Sequence, residues 1–357
     1  MRQIKASLFL IVLARAALAG DRPATAQEVI AAAEQEGKLV IYSTTDTIFV
    51  GPLLKDFNSL YPKISVQYDD LNSTELYNRV IAEVAAGNGS GDLLWSSAMD
   101  LQLKLANDAY AQAYLSPEAT HLPSWASWRN EVYATTYEPI VFVYNKRLLK
   151  AEDVPHSHAC LAKSLSADPA KWRGKVASYD PERSGIGFLL ITQDSRLDPD
   201  FAATARAYGA AGVKLYTSIG AMLERIQSGE HLLGFNIFAS YATARQWKDP
   251  SIGIVYPKDY SLVMSRIALI PRAAKHPNAA KAFLDYLLSR RGQELLARSA
   301  LFSLHDEVEG EMTASALMKK RGGNFKPLPV GPSLLVYLDQ AKRLDFLRRW
   351  QRALGTK

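Results

Sequence analysis

The chain has 357 residues, 48% of them hydrophobic and 22% charged, with a formal net charge of +6 and a single cysteine, Cys160. One cysteine excludes an intramolecular disulfide and a cysteine-rich metal centre, and a charge this modest, with arginine runs only at Arg290-Arg291 and Arg348-Arg349, gives no clustered basic face for a nucleic acid. The length exceeds one compact core and suits two domains.

Arg2 and Lys5 precede an apolar run at 6–14 and the small-x-small pattern Ala17-Leu18-Ala19. This predicts a secretory signal within residues 1–26, cleaved after Ala19 or, at the second such pattern Ala24-Thr25-Ala26, after Ala26. Cleavage after Ala19 removes Arg2, Lys5 and Arg15 and no acid, leaving a formal charge of about +3. No other stretch approaches the about 18 uninterrupted apolar residues of a membrane-spanning helix.

Helix and strand patterns then alternate. Residues 26–36 read as an amphipathic helix and 38–42 as a buried strand that ends in Ser43, Thr44, Thr45 and Asp46. Residues 52–61 predict a helix stopped by Pro62, 64–69 an alternating strand, and 75–86 a helix opened by Ser73 and closed by the flexible turn Gly87-Asn88-Gly89-Ser90-Gly91. A short apolar strand at 92–95 again ends in hydroxyls, Ser96 and Ser97. Such repeated βα units predict an α/β fold with mainly parallel sheets flanked by helices.

The run VYATTYEPIVFVYNK at 132–146 is β-prone yet carries Pro139, which a regular central strand does not admit. It predicts a crossing between domains, each half joining a different sheet. A second crossing is expected in GIVYPKDYSLVMSRIALIP at 253–271, broken at Pro257-Lys258-Asp259-Tyr260. Between them lie a strand at 175–179, a helix from near Phe188, a helix at 200–209 and a strand at 232–238. The first lobe is therefore discontinuous, 27–138 plus 265–300, with 139–264 as the second lobe and 301–357 as a C-terminal helical segment assigned to neither. Helices are expected at 278–288, from near Ser289, and at 332–354, the last with basic residues toward the end that suits the helix dipole.

The pieces GKLVIYSTTD, DLLWSSAMD, EPIVFVYNKRLL, GKVASYDPERSGIGF, GIVYPKDYSLVMSRIALIP and HPNAAKAFLDYLLSRRGQELLA, in this order and spacing, resemble periplasmic solute-binding proteins with two crossover strands between lobes. The resemblance is to the branch of ferric-iron, hexose-phosphate and phosphoglycerate binders and covers nearly all of the chain beyond the signal. It implies a two-lobed α/β fold, a periplasmic location, a monomer, no cofactor, and an inner-membrane ABC permease or a sensor histidine kinase as partner. The pieces SYDPERSGIGF and PKDYSLVMSR are most similar to the subgroup that binds phosphate-bearing or other oxyanion solutes.

In an open α/β sheet, ligands bind beyond the carboxyl ends of the strands. On the first lobe that position holds Ser43, Thr44, Thr45, Asp46, Ser96 and Ser97, which can donate to or accept from a solute or serve as helix caps. On the second lobe Asp180, Arg183, Ser184 and Gly185 join a strand to a helix. Glycine admits close backbone approach, helix-start amides favour an anion, and Arg183 offers a planar fork; the same residues also make an ordinary turn and N-cap. Asn236, Ser240, Tyr241 and Tyr260 complete the candidate ligand-binding set, the tyrosines as readers of a sugar or glycerate.

The adjacent tyrosines that hold iron in the ferric binders are replaced here by Ser240-Tyr241, which argues against iron. His156 and His158 sit in a loop without acidic or cysteine partners at ligand spacing, and His121, His231, His276 and His305 are scattered, so no metal site is expected. Cys160 is expected as a small hydrophobe in a covered spot. The sequence contains no G-x-S-x-G, H-E-x-x-H or Walker-type loop. The reading is a binding protein that closes over inorganic phosphate or a phosphate ester; the alternatives are a ferric-iron transport protein and, in another class, a secreted enzyme on a similar fold.

Overall fold

The computed structural model describes residues 25–321 and 324–355. The signal segment expected at 1–26 lies outside them except for Thr25 and Ala26. These two open the first helix, Ala26–Glu36, where Thr25 and Glu28 form a reciprocal capping box. A cut after Ala26 would remove that cap; a cut after Ala19 would leave it.

Among the described residues thirteen strands form two sheets: β1 Lys38–Ser43, β2 Ser65–Asp70, β3 Leu93–Ser96, β4 Ser127–Trp128, β5 Val132–Ala134, β6 Glu138–Asn145, β7 Val176–Tyr179, β8 Lys214–Tyr216, β9 Leu233–Phe238, β10 Ile252–Val255, β11 Ser261–Met264, β12 Ile267–Leu269 and β13 Phe325–Pro327. The first sheet runs β2-β1-β3-β12-β5-β4 and the second β13-β11-β6-β9-β7-β8, with β10 also on β6. Both are mixed. The βα units pair in parallel, β1 with β2 and β3, and β7 with β8 and β9. The strands next to the crossings pair antiparallel, β12 with β3 and β5, and β6 with β9 and β11.

Each sheet is covered by helices on its outer face. Phe57 of the helix Thr47–Leu60 and Phe283 of the helix Pro277–Leu288 meet edge-on at 5.0 Å beneath the first sheet. Phe188, Tyr208 and Phe235 fill the corresponding place beneath the second, and Phe346 and Trp350 of the last helix, Gln340–Leu354, seal that core from outside. Among the described residues no helix is long and apolar enough to cross a membrane.

The two crossings fall where neither proline predicts. In the first, the chain leaves β5 at Ala134 and enters β6 at Glu138, so the break is Thr135-Thr136-Tyr137. Pro139 is the second residue of β6, opposite Val263, at the end of a strand where a missing donor costs least. In the second, β10 and β11 both lie on β6, and the turn between them stays within the second sheet; the chain passes to β12 through Ser265-Arg266. The crossings are strapped together, with the amide of Thr135 donating to the Arg266 carbonyl at 2.9 Å and that of Arg266 to the Thr136 hydroxyl at 3.0 Å.

Other boundaries shift for local reasons. The helix expected at Pro52 starts at Thr47, with Pro52 exposed in its second turn. The tail expected as one helix at 332–354 is a 3-10 stretch, Pro332–Leu338, and then Gln340–Leu354, the two parted by Asp339, whose side chain caps the second. The C-terminal segment also contains β13, paired with β11. Cys160 is exposed, because His158, Leu161 and Leu165 take the inward face of its helix, His158–Ala167.

Candidate functional site

A cleft of about 390 Å³ opens between the carboxyl ends of the two sheets. Thr44, Asp46, Asp70, Leu71, Asn72, Ser73 and Ser97 line it from the first sheet; Tyr179, Arg183, Ser184, Ile186, Thr217, Ser218, Ile219, Phe238 and Tyr241 line it from the second. Six helices of nine residues or more begin at or within two residues of these positions: Thr47–Leu60, Ser73–Ala85, Met99–Asn107, Gly185–Leu197, Ile219–Ser228 and Ala239–Lys248. The first amides of each carry the partial positive charge of its helix dipole.

The backbone's period of two sorts the first-lobe hydroxyls. Thr44 and Asp46 face the cleft, and Ser43 and Thr45 turn away into the protein, where both are fully buried. Ser43 accepts from the Thr45 amide at 3.1 Å, and Thr45 accepts from Arg266 Nη1 at 2.8 Å. Ser97 reaches the cleft and is joined to Thr44, its amide donating to the Thr44 hydroxyl at 2.9 Å and that hydroxyl donating to Ser97 Oγ at 3.2 Å. Ser96 does not; its hydroxyl accepts from the Ala98 amide.

On the second lobe, Arg183 stands exposed at the cleft, and its guanidinium has no partner among the described residues. Asp180 serves the turn, accepting from the amides of Glu182 at 2.8 Å and Arg183 at 3.3 Å, and does not line the cleft. Ser184 caps its own helix through Gly187 at 3.2 Å. The Ile186 amide donates across the cleft to Ser73 Oγ at 3.4 Å. Gly185 is kept small by the other lobe, since a Cβ there would lie 2.8 Å from Leu101 Cδ1 and 3.0 Å from Ser73 Oγ. Its role in the structure is lobe-to-lobe contact, not open backbone facing the cleft.

Tyr241 lines the cleft, and its hydroxyl donates to Asp46 Oδ1 at 2.9 Å from the opposite lobe. Burial pushes the phenols of Tyr241 and Tyr179 far above their ordinary range. Burial and the neighbouring Asp46 also raise the Asp70 carboxyl. The other three candidates lie elsewhere. Asn236 sits in β9 with φ 58°, which swings its side chain onto Asp194 at 3.0 Å. Tyr260 also donates to Asp194, at 3.0 Å, while stacked on His158 with ring centroids 4.0 Å apart. Ser240 is fully buried and donates to the Glu138 carboxylate.

The rule of strand ends finds Asp70, Asn72 and Ser73 once it is applied to β2, and Thr217 and Ser218 once β8 is recognised. Arg266 has no such signal. It lies in an apolar run yet is fully buried beside the cleft floor, with Nε 2.8 Å from Glu138 Oε1 and Nη1 donating to Thr45 Oγ1 at 2.8 Å and the Thr44 carbonyl at 3.2 Å.

Away from the cleft, Glu118, His121 and His305 bring candidate ligand atoms within 4.8 Å of one another. The two imidazoles stack at 4.7 Å and 13°, so their lone pairs run parallel and do not converge. His305 Nδ1 accepts the Glu307 amide at 3.1 Å, which leaves the ring proton on Nε2, 4.0 Å from the Glu118 carboxylate. With the proton there, that nitrogen offers no lone pair to a metal, and it finds no hydrogen-bond partner among the described residues.

Residues 53–310 match the model of the bacterial extracellular solute-binding protein family. The substrate-binding protein of an ABC transporter from Agrobacterium tumefaciens superimposes with a TM-score of 0.85 and 42% identity, over 89% of this chain and 94% of that one. The fold is shared with the fructose-6-phosphate-bound periplasmic binding protein AfuA of Actinobacillus pleuropneumoniae, at TM-score 0.74 and 18% identity over 90% of this chain and 99% of that one. It is shared too with iron-bound HitA of Pseudomonas aeruginosa, at TM-score 0.72 and 17% identity over 88% and 99%. The phosphoglycerate transport regulatory protein of Salmonella typhimurium is 24% identical over 243 residues, 65% of this chain and 57% of that protein's length. With the family model spanning most of the chain and a 42% identical transporter component matching it nearly end to end, the chain belongs to the bacterial extracellular solute-binding proteins.

Proposed function

We propose that this protein binds, in the periplasm, a small phosphate ester that carries free hydroxyls, such as a sugar phosphate or a phosphoglycerate, and hands it to an ABC permease. The observation that carries this reading is the convergence of six helix starts on a cleft that also presents Asp46 and Asp70. Helix starts stabilise an anion through their amides and dipoles, and Arg183 adds an exposed charge at the cleft. The carboxylates repel a bare dianion placed against them but accept hydrogen bonds from sugar or glycerate hydroxyls. A ligand with both kinds of group satisfies both halves of the cleft; inorganic phosphate satisfies one. The names of two relatives, one fructose-6-phosphate-bound and one a phosphoglycerate transport regulator, support the same class. The second of them also supports a membrane sensor as an alternative partner.

Iron is the second reading, because Tyr179, Tyr241, Asp46 and Asp70 place four hard oxygen atoms around one cleft. Its weakness is protonation. Iron needs phenolates, whereas Tyr241 donates its proton to Asp46 and both phenols are held neutral by burial.

Differential scanning fluorimetry with hexose phosphates, phosphoglycerates, inorganic phosphate, sulfate and ferric citrate separates these readings. A ligand at 100 times its dissociation constant adds about 2.7 kcal/mol to stability. The largest shift is expected with a hydroxylated phosphate ester; a shift with ferric citrate alone would overturn the reading.

A further inference from the structure

We infer that Arg266 is a positioning residue for the anionic ligand: its guanidinium anchors the Ser43–Asp46 loop to the crossover strands and turns the positive end of a buried ion pair toward the cleft. The inference deepens the proposed function and rests on it.

The geometry is that of an oriented dipole. Arg266 and Glu138 are both fully buried, Arg266 in the second crossing and Glu138 opening β6 directly after the first. The carboxylate end is held by the Thr136 hydroxyl, which donates to Oε1 at 3.0 Å, and by the Ser240 hydroxyl, which donates to Oε2. The guanidinium end is bound to the loop, through Thr45 Oγ1 and the Thr44 carbonyl. It lies 5.7 Å from the ring centroids of both Phe238 and Tyr241, two side chains that form the cleft wall. Nη2 is buried and finds no hydrogen-bond partner among the described residues. A buried guanidinium with a donor to spare is costly, and an anion on the other side of that wall offsets the cost. The Arg266 charge also acts on three cleft-lining groups, lowering the pKa of Asp70, Tyr179 and Tyr241 against the effect of burial, and at the two tyrosines it outweighs the opposite, smaller effect of Glu138.

Because the pair is neutral overall, its two members make opposite contributions to an anion in the cleft. Removing Glu138 alone leaves the positive end uncompensated; removing both ends abolishes the dipole and the loop anchor. A pair that served only to hold the fold would give looser binding in either case.

The test is calorimetric titration of the unaltered protein, Glu138→Gln and the double variant Arg266→Met/Glu138→Gln with glucose 6-phosphate, 3-phosphoglycerate and uncharged glucose. The double variant avoids a buried, unpaired carboxylate, and thermal melting establishes that each variant folds. Glu138→Gln is expected to bind the phosphate ester about fivefold more tightly, and the double variant about tenfold more weakly, with glucose unaffected by the charge change. Amide hydrogen exchange at Thr44, Thr45 and Asp46 should accelerate in the double variant and stay slow in Glu138→Gln. If Glu138→Gln binds the ester no more tightly than the unaltered protein does, this inference is overturned while the phosphate-ester reading stands. If the unaltered protein binds neither ester, the phosphate-ester reading falls and takes the electrostatic half of this inference with it; exchange then judges the anchor alone.

Discussion

Asp100 shows what burial does to one carboxyl. It stands in the first turn of the helix Met99–Asn107, almost fully buried, with Oδ1 accepting the Leu101 amide at 2.9 Å. Desolvation pushes its pKa up to about 7, against smaller opposing effects of that amide and of Arg343. An unfolded aspartate titrates near 4, so between about pH 4 and 7 the folded chain holds a proton that the unfolded chain releases. Stability from this group is therefore complete below pH 4, falls as the pH rises to about 7 and is level beyond that. Asp100→Asn should stabilise the protein at pH 8 by about 2 to 4 kcal/mol and have little effect near pH 4, as read by urea unfolding at both values. At this scale the sequence was legible only in part. Thr44, Asp46, Ser97, Arg183, Ser184 and Tyr241 reach the cleft because they sit at strand ends or helix caps, which a single chain reveals. Asp70 follows the same rule but lies just past the strand expected at 64–69, whose end carries no hydroxyl run to draw the rule to it. Arg266 was illegible, since nothing in MSRIALI says that its charge will be neutralised by a glutamate 128 positions earlier.

Among the elements, the helix Gly185–Leu197 has the most demanding docking. Its first residue touches Leu101 and Ser73 of the opposite lobe, and Gly187 is pressed equally hard, with a Cβ there 2.8 Å from Tyr179 Cβ. Gly185→Ala should leave each lobe folded but hold them apart by the width of a methyl group. The expected outcome is an unchanged melting profile, a larger radius of gyration in solution scattering at saturating ligand, and ligand affinity reduced by about 1 to 3 kcal/mol, the usual cost of overpacking. An unchanged affinity would show that this contact is not part of closure. The sequence marks Gly185 as special, but for the wrong partner. Glycine at a helix start reads as room for a ligand, and only the fold shows that the room is taken by a leucine from the other lobe. The crossings teach the same point. Proline disfavours central strands, which points to Pro139 as the break, yet at the end of β6 its missing N–H deprives no neighbour.

For the molecule as a whole, two sheets, two crossings and a C-terminal segment form one system. That segment adds β13 to the second sheet and lays the helix Gln340–Leu354 on the helix Phe201–Ala210. Gly209 allows this approach, since a Cβ there would stand 2.7 Å from Leu354 Cα. Trp350, 3% exposed, stacks on Phe201 at 6.2 Å, while its indole N–H finds no acceptor among the described residues. Trp350→Ala should therefore cost about 3 kcal/mol in urea unfolding, and Trp350→Phe distinctly less, because it also removes the unanswered N–H. Equal losses would mean that the ring's area is not what holds the helix. The two-lobed plan was readable from the order of βα units and the two β-rich runs. The docking of the tail was not, because a terminal amphipathic helix declares which of its faces is apolar but not which surface it will cover.

The lone cysteine has a practical consequence. Cys160 is exposed on a helix of the second sheet's side and does not line the cleft. A maleimide dye will therefore attach at one known place, with no native thiol to remove. Adding a second thiol at Leu115, 62% exposed and close in sequence to β4 of the first sheet, gives a donor and acceptor pair, one fluorophore per lobe. Single-molecule energy transfer between them would time each opening and shutting of the cleft directly, molecule by molecule, with the native protein chemistry otherwise intact.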